Sequence, residues 1–65
     1  MTLIDVTLSG GDFGGEVRQI EDTLLNDLVL LETGGRIYSY RIDFLEEEDR
    51  YIGILVSSVR APRSP

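Results

Sequence analysis

Two stretches of alternating residues, Ile37 to Phe44 and Tyr51 to Val59, constrain this chain more than any other feature. Alternation at period two is the pattern of a half-buried β-strand. In the first stretch Tyr38, Tyr40, Ile42 and Phe44 fall on one face, and in the second Ile52, Ile54 and Val56 do. Directly opposed residues of an antiparallel pair share a face, so the register has to bring the two apolar sets together. Pairing Phe44 with Ile52 does so, and then Ile42 meets Ile54 and Tyr40 meets Val56. Residues 45–51 become the connection, carrying Glu46, Glu47, Glu48 and Asp49.

The same reasoning extends toward the N-terminus. Residues 27–33 run into Gly34-Gly35, a two-residue hairpin signal, and the turn opposes Thr33 to Arg36. Leu31 then faces Tyr38 and Val29 faces Tyr40, so the apolar faces agree a second time. Residues 21–33 also admit a helix, with Leu24, Leu25, Leu28 and Leu31 on one face, Asp22 or Thr23 as cap and Gly34 at the end. That alternative gives an α+β fold with a short helix at about 22–33. Agreement across two hairpins favours the strand. Upstream, Ile4, Val6 and Leu8 alternate with Asp5 and Thr7. A glycine-rich turn follows at Gly10 to Gly15, then a short strand from Glu16 to Ile20, where the differing parity of Val17 and Ile20 suggests a bulge or strand end. The reading is all-β: strands at 2–8, 16–20, 27–33, 36–44 and 51–59 in a small five-stranded antiparallel meander, curled into an SH3-like or open barrel. Residues 1–59 form the single β domain. Residues 60–65, with two prolines, form a flexible tail.

Composition excludes several functions. A chain of 65 residues buries only about 60% of the surface its unfolded form exposes, so its stability is marginal or completed by association. The sequence holds neither cysteine nor histidine, which removes disulfides, thiolate metal sites and the commonest general base. No apolar run approaches a membrane span, and no basic, apolar start marks a signal peptide, so a cytoplasmic location is expected. Residues 1–59 carry all twelve acids against four arginines, a net of −8, which Arg60 and Arg63 bring to −6. Such a surface repels phosphate and attracts basic proteins, so no direct nucleic-acid contact is expected.

The motifs with chemical promise are few. The loop Gly10, Gly11, Asp12, Phe13, Gly14 and Gly15, with Arg18 beyond it, has the outer-glycine spacing of a phosphate loop. However, Glu16 and Val17 stand where Lys and Ser/Thr belong. A tight turn is the plainer reading, and a ligand loop the sharper one. The Asp12-Phe13-Gly14 tripeptide occurs in kinases, for which this chain is too short. Tyr38, Tyr40 and Tyr51 are the types that stack on bases, but the negative body favours core or interface packing. Asp43, Glu46, Glu47, Glu48 and Asp49 lack the spacing of a calcium loop. They read as a solvated hairpin tip or as the contact point for a basic protein partner. No catalytic constellation, metal set or cofactor motif emerges, and an enzyme is not expected.

A second apolar face remains. Leu28, Leu30, Ile37, Leu55 and Val59, with Tyr51 nearby, lie opposite the core set, and a chain this short cannot enclose both faces. These residues are expected at a homo-oligomer interface.

Three segments carry a resemblance: Leu8-Ser9-Gly10-Gly11-Asp12-Phe13-Gly14-Gly15, Tyr38-Ser39-Tyr40-Arg41 and Arg50-Tyr51-Ile52-Gly53. In this order they resemble small β proteins carried by bacteriophages and their high-GC hosts, which often have proline where this chain has Asp12. The resemblance implies a phage-type origin and no particular activity. Two functions follow as expectations. One is a non-catalytic acidic protein-binding module, such as a phage-encoded inhibitor of a host protein with a basic surface. The other is a binder or sponge for a small, nucleotide-like ligand, using the glycine loop at an oligomer interface.

Overall fold

The computed structural model describes residues 2–62; Met1 and the 63–65 part of the expected tail lie outside the described residues. The chain forms β1 (Leu3–Ser9), β2 (Val17–Glu21), β3 (Leu28–Thr33), β4 (Arg36–Leu45) and β5 (Arg50–Arg60), with a 3₁₀ turn at Asp22–Leu24 between β2 and β3. The segment open to a helical reading is thus one short turn followed by a strand. The fold is all-β, a five-stranded sheet curled into a half-barrel.

Strand order is β2-β1-β5-β4-β3, which corrects the expected meander. β2 and β3 are the two edges, and β1 runs parallel to β5 through Val6–Ser9 against Tyr51–Ile54. The physical reason lies in the second edge of β5. One edge pairs with β4 along the strand, and the other takes β1 at Tyr51–Ile54, where Gly53 leaves room for Leu8 and Val6. A parallel pairing of residues 45 positions apart leaves no local sequence pattern.

The β3–β4 hairpin has the expected register, with Thr33 opposite Arg36, Leu31 opposite Tyr38 and Val29 opposite Tyr40. Gly34 and Gly35 take φ of 57° and 76°, the left-handed pair that a type I′ turn requires and that glycine adopts without strain. The β4–β5 hairpin differs. Phe44 pairs with Tyr51, Ile42 with Gly53 and Tyr40 with Leu55, one residue from the expected alignment. A register irregularity between Ser39 and Tyr40 restores the expected pairing beyond it, where Tyr38 meets Ser58 and Ile37 meets Val59. Val56 is the extra residue of that bulge.

The slip inverts the near half of β5. Tyr51, Gly53 and Leu55 face inward, while Ile54 and Val56 are exposed at 43% and 51%. Gly53 explains the preference, because its missing side chain leaves room for Leu8 and Val6 of β1. The concave face collects Val6, Leu8, Ile20, Tyr38, Tyr40 and Ile42, with Ile4, Leu24, Val29, Leu31, Tyr51 and Leu55 packed around them. Full burial of a side chain of this size contributes about 1.5–3 kcal/mol. At the C-terminal end, Arg60 belongs to β5 and the Ala61 amide donates to the Gly35 carbonyl at 2.8 Å.

Candidate functional site

The glycine loop closes one end of the concave face. Gly10, Gly11 and Gly15 hold φ of 92°, 71° and 89°, which folds residues 10–15 back over the sheet. Phe13 enters the core and meets Tyr38 and Tyr40 edge to face at 5.8 and 6.4 Å. The Tyr40 hydroxyl donates to the Gly10 carbonyl at 2.7 Å. A methyl group on Gly11 would stand 2.8 Å from that hydroxyl, so the close approach itself excludes a side chain. The Gly14, Gly15 and Glu16 amides donate to the Gly11, Leu8 and Phe13 carbonyls. A phosphate cradle needs such amides free and converging. Arg18 places its guanidinium 5.1 Å over the Phe13 ring and pairs with Glu16 at 3.0 Å. The loop is built as a plug.

Tyr38 adds a titration. Burial pushes its hydroxyl above the ordinary tyrosine value, and the nearby Asp12 carboxylate adds to the shift. An acid whose folded pKa is raised gives its full stabilisation below the unfolded pKa, about 10 for tyrosine, and loses it as pH climbs through the folded value. Thermal melts of the wild type should therefore fall more steeply above about pH 10 than those of Tyr38→Phe. Equal slopes would remove Tyr38 from the alkaline transition.

The acidic turn sits at the other extreme. Glu46 to Asp49 are all exposed and join β4 to β5 as a four-residue tip closed by the Leu45–Arg50 pair. The Glu48 amide donates to the Leu45 carbonyl and the Asp49 amide to the Glu46 carbonyl, both at 3.3 Å. Asp49 takes φ of 51°, a left-handed conformation that Asp tolerates better than most residues. Glu48 pairs with Arg50 at 3.1 Å in open solvent, an interaction of at most about 1 kcal/mol. Asp43 stands apart from the tip: half-buried on β4, its carboxylate accepts the Phe44 amide at 2.9 Å. Among the described residues no group of three or more acids converges as a metal-ligand set.

The expected interface residues divide between two faces. Leu28, Leu30 and Val59 are exposed on the convex face, with Ile37 half-buried beside them. Tyr51 and Leu55 instead pack against the core, Tyr51 with its ring 5.0 Å from that of Phe44. The one-residue slip moved them and put Ile54 on the convex side. Between the sheet's two edges lies a cleft of about 550 Å³, lined by Arg18 and Ile20 of β2, by Leu24, and by Val29 and Leu31 of β3. Sequence alternation did not reveal it, because it arises from two strands that face each other without pairing. Among the described residues, no helix is long and apolar enough to cross a membrane. Comparison with family models, curated proteins and solved structures finds no match.

Proposed function

We propose that this protein is a non-catalytic binding module that presents the Glu46–Asp49 turn to the basic surface of another protein. The observation that carries the reading is the exposure of four consecutive acids at a hairpin tip. The tip demands only one left-handed residue, at Asp49, so the fold does not require its charge. Acids crowded at such a tip repel one another at about tenths of a kcal/mol per neighbouring pair. Arginine or lysine from a partner relieves that repulsion and adds charge-assisted hydrogen bonds. The net charge of −6 extends the attraction beyond the contact. Inhibition is one role that this acidic surface suits. Such an inhibitor would occupy a host protein's basic, nucleic-acid-facing patch in the cytoplasm and not touch nucleic acid itself. The ligand-sponge alternative draws less support, since the glycine loop directs Phe13 and several of its amides inward.

Changing Glu46, Glu47 and Glu48 together to Gln tests the proposal. An arginine-rich peptide serves as the first probe, and a captured partner as the second. The association rate should fall about tenfold at low salt, and the wild-type rate itself should drop as screening shortens the Debye length from about 30 Å to 8 Å. Stability should stay level or rise by a few tenths of a kcal/mol. An unchanged association rate for the triple variant at low salt would leave the turn a solvated tip.

A further inference from the structure

β3 is a sheet edge whose sequence, Leu28-Val29-Leu30-Leu31-Glu32-Thr33, has no lysine, proline or bulge and a single charged residue, Glu32, among the features that keep edges apart. The other edge, β2, has Arg18 and Glu21 within five residues. In a hairpin closed by Gly34-Gly35, the pair Thr33–Arg36 exchanges both hydrogen bonds, as do the alternate pairs Leu31–Tyr38 and Val29–Tyr40. Leu28, Leu30 and Glu32 therefore aim their amides and carbonyls away from β4, toward the side of β3 on which no strand pairs. The Asp27 carboxylate accepts the Leu28 amide at 2.8 Å, as expected for a donor without a strand beside it.

We propose that two copies join through β3, antiparallel about a two-fold axis at Leu30, into one continuous sheet. This register is self-complementary. Leu30 exchanges both backbone hydrogen bonds with the partner's Leu30, and the Glu32 amide donates to the partner's Leu28 carbonyl. On the convex face the exposed Leu30 side chains, each 63% accessible, cover one another at the axis. On the concave face Val29 lies against the partner's Leu31. Charge agrees as well. Arg41 is the neighbour of Leu28 on β4, so the partner's Glu32 lies across Leu28 from Arg41, within reach of two long side chains. Among the described residues, neither Glu32 nor Arg41 has an ion-pair partner inside its own chain. The two-fold consumes both β3 edges, so the assembly closes at two chains. It stands independently of the acidic turn.

Light scattering across the micromolar to millimolar range should give twice the 7.3 kDa of the chain. Leu30→Lys sets two ammonium groups on the axis and should weaken association at least about tenfold, with an unchanged circular dichroism spectrum. Val59→Lys, on the same face but distant from the edge, should leave the dimer intact. Hydrogen exchange supplies a second reading: the Leu30 and Glu32 amides should be protected at high concentration and lose protection on dilution. A wild-type monomer throughout that range would overturn the proposal. So would assemblies growing past two chains, dissociation by Val59→Lys but not Leu30→Lys, or exchange at Leu30 and Glu32 independent of concentration.

Discussion

Phe13→Ala is expected to lower the unfolding free energy by about 3–5 kcal/mol, the usual cost of truncating a buried aromatic. A chain of 65 residues holds roughly 3–10 kcal/mol in total, at 0.05–0.15 kcal/mol per residue. The substitution should therefore remove between about a third and all of that stability. The size of the effect follows from the position of the ring, which caps the concave face against both Tyr38 and Tyr40. Without it the loop loses its apolar anchor, and hydrogen bonds such as Tyr40–Gly10 and Gly15–Leu8 are left to hold a segment with three left-handed glycines. Phe13→Leu keeps most of the volume and loses the edge-to-face contacts, about 0.5–1.5 kcal/mol for each. Urea unfolding followed by circular dichroism gives both values. A Phe13→Ala protein as stable as wild type would show that the loop is not a plug, and would return it to consideration as a binding element.

How much of this was legible in the sequence depended on whether the determinants were local. Gly34-Gly35 specifies its own backbone conformation, so the β3–β4 register could be read down to individual pairs. Strand boundaries were legible within a residue or so, because alternation and turn residues bracket each strand. The β4–β5 register was not, near its turn. Two inward sets competed there: Ile52, Ile54 and Val56 are the more apolar, yet Tyr51, Gly53 and Leu55 are the ones that face the core. What decides is the shape of β1, which lies parallel to β5 and fills the space over Gly53 with Leu8. Nothing within β5 announces that neighbour. The site divides the same way. Four adjacent acids are visible in any reading of the sequence. The β3 edge appears only once the strand order shows which strand lacks a neighbour.

Gly53→Val should separate these two kinds of determinant, because they give it opposite signs. Strand propensity alone favours valine over glycine by up to about 1 kcal/mol, and would make the variant more stable. Packing predicts the reverse. A Cβ at Gly53 would lie 2.7 Å from Leu8 Cδ2 and 3.4 Å from Val6 Cγ1. Both neighbours are fully buried, so the end of Leu8 could move aside only by displacing other core atoms. Overpacking a filled core with one methyl costs about 1–3 kcal/mol, the range expected for Gly53→Ala. Valine adds two further methyls among Leu8, Val6 and Ile42, and should cost more than about 3 kcal/mol, enough to unfold much of the population. One escape is open to the chain. Sliding β5 by one residue would bring Ile52 and Ile54 inward, the alignment that alternation favours, and send the new valine outward. That slip would bury the better apolar set but separate Phe44 from Tyr51, whose rings now sit 5.0 Å apart. Urea midpoints give the sign for Gly53→Ala and Gly53→Val, and nuclear Overhauser contacts between the Phe44 and Tyr51 rings report the register. If Gly53→Val proved more stable than wild type while those contacts remained, Leu8 would not be packed over Gly53, and the parallel β1–β5 pairing could not be what sets the register of this sheet.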